Sequence, residues 1–101
     1  MSSCIFCAII AGTSPGRIVY SDDYVLGFLD IRPVTRGHTL LVPRVHSSGL
    51  DDLDPTLGAA LFRAGQRVAT AMKTGPVSAD GVNLALNDGR AAFQTVFHTH
   101  L

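Results

Sequence analysis

The strongest constraint on this chain is a single amphipathic repeat. Leu57, Leu61, Ala64, Val68 and Met72 recur at steps of three and four, which places them on one stripe of an α-helix. Asp54 is the expected N-cap and Pro55 fits the first helical position, where a missing N–H costs nothing; Gly75-Pro76 ends the run. One long helix must therefore bury its stripe against elements that are all short.

Those elements read as strands and one further helix. Ser2 and Ser3 before Cys4, with Gly12 after Ala11, bracket a short N-terminal helix. Arg17–Tyr20 and Tyr24–Ile31 form a hairpin about Ser21-Asp22-Asp23, and Pro33 and Gly37 bracket a loop. His38–Val42 is a β-branched and leucine run stopped by Pro43. Gly81–Asn87 alternates like a strand up to Asp88-Gly89, and Thr95–Leu101 is β-rich. Helix, three strands, long helix and two strands predict an α+β domain with a mainly antiparallel sheet.

Composition narrows the function classes. Hydrophobic residues make up 47% of the 101 residues, too many for a disordered chain. Eight basic side chains balance eight acidic ones, so no long-range field favours nucleic acid or anionic lipid, and an anion must be held by placed donors. The run Ile5–Ala11 lacks a basic flank and a cleavage site, and no stretch approaches the ~18 apolar residues of a membrane span. The cytoplasm is the expected location.

Chemistry is offered by few residues. In a strand His98 and His100 share a face, which suits roles for neutral imidazoles, metal ligation or nucleophilic attack, as well as two solvated rings. Cys4 and Cys7 have the spacing of a zinc half-site whose remaining ligands must come from the histidines His38, His46, His98 and His100. A redox dithiol would need a preceding strand, and only three residues precede Cys4; packing as small hydrophobes is the plainer alternative. Asn83, Asn87 and Gly89 offer donors to a phosphate or simple turn chemistry, and Gln94 lies just before the histidine segment.

Taken together these blocks resemble the histidine triad (HIT) family. The resemblance is carried by Cys4-Ile5-Phe6-Cys7, Val19-Tyr20-Ser21-Asp22-Asp23, Asp30-Ile31-Arg32-Pro33 and Gly37-His38-Thr39-Leu40-Leu41-Val42-Pro43-Arg44-Val45-His46. It continues through Asp80-Gly81-Val82-Asn83, Asn87-Asp88-Gly89 and Gln94-Thr95-Val96-Phe97-His98-Thr99-His100-Leu101. Similarity is greatest to the Hint-like branch of nucleotide-binding phosphoramidases. Two departures stand out. Phe93 occupies a place where the family usually has Gly, and the sequence ends at Leu101, one residue before the third histidine of the signature. The expectation is a single domain over 1–101 whose C-terminal end is missing.

The resemblance implies a HIT-like fold, a homodimer, and a hydrolase acting on the phosphorus–nitrogen bond of purine nucleoside phosphoramidates. The matching nucleophile is His100, which would form a nucleotidyl-histidine, with His98 the first histidine of the triad and His38 packed behind. Asp30 matches the ribose-binding carboxylate, Phe28 and Ile31 the purine pocket, Asn87 an α-phosphate contact, and Gln94 with Thr95 the phosphate and leaving-group contacts. Cys4, Cys7, His46 and His98 match the ligands of a structural zinc. A nucleotide-binding module without turnover and a dinucleoside polyphosphate hydrolase are the alternatives.

Overall fold

The computed structural model describes residues 4–31 and 37–101. Helix α1 spans Ile5–Ala11 and α2 spans Pro55–Thr74, with strands β1 (Ile18–Ser21), β2 (Val25–Leu29) and β3 (Thr39–Pro43) between them. The fold is α+β. The three strands form one antiparallel sheet in the order β1-β2-β3. Among the described residues no helix is long and apolar enough to cross a membrane.

Local chemistry sets the ends of each element. Ser2, Ser3 and Pro33 lie outside the described residues; the N-cap of α1 is Cys4, whose sulfur accepts the Cys7 N–H at 3.4 Å. Gly12 closes the helix in the left-handed region at φ 79°, and its N–H returns to Ala8 and Ile9 carbonyls. Asp54 caps α2 by accepting the Thr56 N–H at 2.8 Å. At the β1–β2 turn, one Asp22 oxygen accepts the N–H groups of Tyr24 and Val25, while the other accepts the Tyr20 hydroxyl.

The sheet is covered on both faces, which explains why β2 is apolar without interruption. Val25 and Leu41 pack on Ala60, Leu61 and Ala64 of α2. Leu26, Phe28 and Val42 point the other way and pack on Phe6 of α1. Alternation is present, but each face is buried. Gly27, on the α2 side, has no space for a side chain: a Cβ there would meet Leu41 Cδ2 at 2.7 Å and Tyr20 Cβ at 2.9 Å.

The two C-terminal strands are not formed. Gly81–Asn87 has the alternating pattern but runs without a ladder, and a strand needs a neighbour for its N–H and C=O groups. Thr95–Leu101 is drawn instead onto the 47–49 loop, where the Thr99 N–H donates to Ser47 O at 2.7 Å. Leu101 alone pairs with the sheet through its backbone, exchanging both bonds with Leu41 at 2.9 Å. A 3-10 turn at Arg90–Ala92 lies between these segments.

Candidate functional site

Four side chains from three parts of the chain converge beneath α1. Cys4 and Cys7 come from its first turn, His46 from the loop after β3, and His98 from the C-terminal segment. The Cys4 and Cys7 sulfurs each lie 3.5 Å from His98 Nδ1, and Cys7 Sγ lies 3.3 Å from His46 Nδ1. The two Nδ1 atoms are 3.1 Å apart, and all four donor atoms fall within 4.8 Å of one another.

This geometry fits tetrahedral zinc. With Zn–S near 2.3 Å and Zn–N near 2.0–2.1 Å, tetrahedral donors sit about 3.3–3.8 Å apart. His98 is fully buried, and its Nε2–H donates to Pro43 O at 2.9 Å, which leaves the Nδ1 lone pair facing the two sulfurs and His46. That is the outer hydrogen bond expected of a metal-bound imidazole. Burial pushes the His98 pKa below its ordinary 6.5, with His46 and His100 adding to the effect, although the bond to Pro43 opposes it. A neutral ring is what a ligand must be. Four protein donors leave no open position, so the zinc that fits here is structural.

His100 lies beside this node and faces elsewhere. Its Nδ1 donates to the carbonyl of His98 at 2.7 Å, which fixes the tautomer and leaves the lone pair on Nε2. Phe6 packs edge-on against both rings, with centroids 6.0 Å from His98 and 5.1 Å from His100. Between them Thr99 is anchored: its hydroxyl lies 2.7 Å from Ser47 Oγ and donates to Gly49 O at 3.1 Å.

A cavity of about 730 Å³ opens beside β3, and Asp30, His38, Asn87, Thr95 and His100 lie on its wall. That volume falls within the ~300–1,000 Å³ of small-molecule sites. His38 Nδ1 stands 3.7 Å from Asp30 Oδ2, and the Asp30 N–H donates to His38 O at 2.9 Å, so the ends of β2 and β3 hold both side chains in place.

Phe28, Ile31 and Gln94 are not brought to this wall, and His98 is held at the donor cluster instead. Phe28 alternates toward α1 and is buried edge-on against Phe6, with centroids 5.3 Å apart. Ile31 is 91% exposed and lies off the cavity. Gln94 is buried as a brace: its Oε1 accepts the Gly89 N–H at 2.8 Å, while Nε2 donates to Ser48 O and Val96 O.

The opposite wall went unread in the sequence. It is the second half of α2, with Gly65, Val68, Ala69 and Met72. Gly65 was the available signal, since glycine within a helix costs about 1 kcal/mol against alanine. A Cβ there would lie 3.1 Å from Leu101 Cδ2 and 3.4 Å from Leu84 Cδ1.

Comparison with known proteins agrees with this geometry. The family model described as the HIT domain matches residues 11–101. An uncharacterized HIT-like protein of Mycobacterium tuberculosis is 52% identical over 98 residues, which cover 97% of this chain and 67% of that protein. The adenylylsulfatase HINT3 of Arabidopsis thaliana is 38% identical, over 99% of this chain and 50% of its own length. Among solved structures, a zinc-bound histidine triad family protein from Mycobacterium smegmatis superposes with a TM-score of 0.95 at 52% identity, covering 97% of this chain and 70% of that one. Sequence, fold and metal-binding geometry converge, and the chain belongs to the histidine triad family.

Proposed function

We propose that this protein is a nucleotide-binding hydrolase that cleaves the phosphorus–nitrogen bond of purine nucleoside phosphoramidates. The observation that carries the reading is the bond from His100 Nδ1 to His98 O at 2.7 Å, because it selects the tautomer whose lone pair is on Nε2. The name of the Arabidopsis relative, an adenylylsulfatase, adds support for a nucleotidyl substrate.

In this reading Asp30 accepts hydrogen bonds from the ribose hydroxyls, and Asn87 with Thr95 donates to the phosphate oxygens. The Nε2 lone pair of His100 attacks the α-phosphorus. A histidine–phosphorus bond forms as the bond to nitrogen breaks, and the amine leaves with a proton drawn from solvent. Water then attacks phosphorus, the histidine bond breaks, and that proton is returned as the nucleoside monophosphate departs. Dividing one hydrolysis into two displacements lowers each barrier. Zinc, when bound at Cys4, Cys7, His46 and His98, supplies structural fixing only.

The same reading includes a homodimer, supported by Val19 on β1 and Phe62 on α2, both about half exposed, and a reducing cytoplasm, which suits metal-binding thiols. A second reading, nucleotide binding without turnover, is favoured by Gln94, whose amide is committed inside the protein. Turnover of adenosine 5′-phosphoramidate, with trapping of an adenylylated His100 by mass spectrometry, tests the first. Binding of AMP with neither turnover nor adduct would establish the second.

A further inference from the structure

Phe93 is costly in two independent ways, and the fold gains from neither. Its backbone sits in the left-handed region at φ 70°, which L side chains rarely adopt. The other non-glycine residue with positive φ among the described residues, Ser78, is small and polar. Phe93 instead carries a large apolar ring that is 84% exposed, so almost no surface is buried in return.

Its neighbours enforce this conformation. The Phe93 N–H donates to Arg90 O at 3.0 Å, and the Gln94 N–H donates to Gly89 O at 3.1 Å. The buried Gln94 side chain closes the same loop by accepting the Gly89 N–H and donating to Ser48 O and Val96 O. Gln94 turned inward therefore turns Phe93 outward. The outward position is on the rim of the cavity that also carries Asn87, Thr95 and His100, and apart from the histidines Phe93 is the one aromatic side chain on that wall among the described residues.

We infer that Phe93 is a specificity-determining residue whose ring stacks on a planar, aromatic group in the substrate. The inference rests on the nucleotide reading of the cavity and deepens it. Phe93 is two residues from Thr95, on the loop assigned to the phosphate, whereas the ribose carboxylate Asp30 lies at the end of β2. The group it meets is thus the one beyond the phosphate, the part that departs, and the favoured substrates are nucleoside conjugates with an aryl leaving group. Offset stacking on an exposed ring suits such a group and tolerates variation in its identity.

Calorimetric binding of AMP and of its phenyl ester tests this in the wild type, Phe93→Gly and Phe93→Tyr. The expected result is that AMP binds all three alike, while the phenyl ester binds the wild type and Phe93→Tyr about tenfold more tightly than Phe93→Gly. Phe93→Gly should also melt at or above the wild-type temperature, because glycine adopts this backbone without strain. Equal phenyl ester affinities with intact AMP binding would overturn the subsite alone. Failure of both nucleotides to bind the wild type would overturn the nucleotide reading and the subsite with it. A Phe93→Gly variant that melts well below the wild type would make the ring a packing element and overturn its proposed role.

Discussion

His100 donates its Nδ1–H to the backbone carbonyl of His98 at 2.7 Å, so the orientation of one imidazole is set by the main chain of the other. The His98 side chain is held at the four-donor cluster, and the His98 carbonyl selects the tautomer of a ring on the cavity wall. Two histidines two positions apart thereby have separate tasks, His98 as a donor in the four-residue cluster and His100 as the proposed nucleophile.

The first prediction separates those tasks. His100→Ala removes the proposed nucleophile but none of the proposed ribose or amide contacts. Turnover of a nucleoside phosphoramidate is expected to vanish, with AMP affinity retained within about tenfold, or ~1.4 kcal/mol. Steady-state kinetics and calorimetry on the same samples check it. Affinity that falls as far as turnover would mean that His100 binds rather than attacks.

A second prediction concerns the metal. Cys4 supplies one donor to the cluster and also caps α1. Cys4→Ser should lower bound zinc well below one ion per chain and lower the melting temperature, because a lost ligand loosens α1 from the sheet. Elemental analysis beside thermal melts provides the check. Zinc retained at one ion per chain in the variant would remove Cys4 from the ligand set.

These sites differ in how far the sequence revealed them. The α2 ends were legible because Asp54 and Pro55 act locally, and its stripe because periodicity survives in any tertiary setting. The zinc ligands were reached only through resemblance: spacing marks Cys4 and Cys7 as a pair, but nothing local says that His46, rather than His38, joins them. Gly81–Asn87 misled because alternation states which faces differ without supplying the neighbouring strand. Gln94 reads as a polar group near the site, and only the fold shows its amide used internally. Its outward neighbour Phe93 follows from the same unread bonds.

The third prediction is an acid-side dependence of stability centred on Asp22. Burial alone would raise its pKa, but the Tyr20 hydroxyl, the Tyr24 and Val25 N–H groups and the Arg67 charge outweigh burial and hold it below its ordinary value near 3.8. A carboxylate with a lowered folded pKa adds stability above the unfolded value and loses it as pH falls through the folded one. The stability gap between wild type and Asp22→Asn should therefore be constant from neutral pH down to about pH 5 and shrink below about pH 4. Denaturant midpoints across that range check it. Loss of zinc in acid affects both proteins and cancels in the difference. A gap that stays unchanged to pH 2.5 would detach this turn from the titration.

The fourth prediction tests the packing of the central strand. Gly27 pairs with Leu41 across the sheet, and an added Cβ would lie 2.7 Å from Leu41 Cδ2 and 2.9 Å from Tyr20 Cβ. The Leu41 methyl is the end of a side chain and can rotate aside, whereas Tyr20 Cβ cannot move without β1 itself. Tyr20 is further held through its hydroxyl, which donates to Asp22 at 2.6 Å and accepts from Arg67 at 3.1 Å. Gly27→Ala should thus destabilise by about 1–3 kcal/mol, the usual range for overpacking, against the few tenths to 1 kcal/mol that alanine gains by limiting the unfolded chain. Urea unfolding with the midpoint and slope both recorded decides the sign. A stability equal to or above wild type would mean that β1 and β2 have room the present geometry denies. Because Gly27 lies on the α2 side, away from Phe6 and the cysteines, zinc content should stay at its wild-type level even as stability falls.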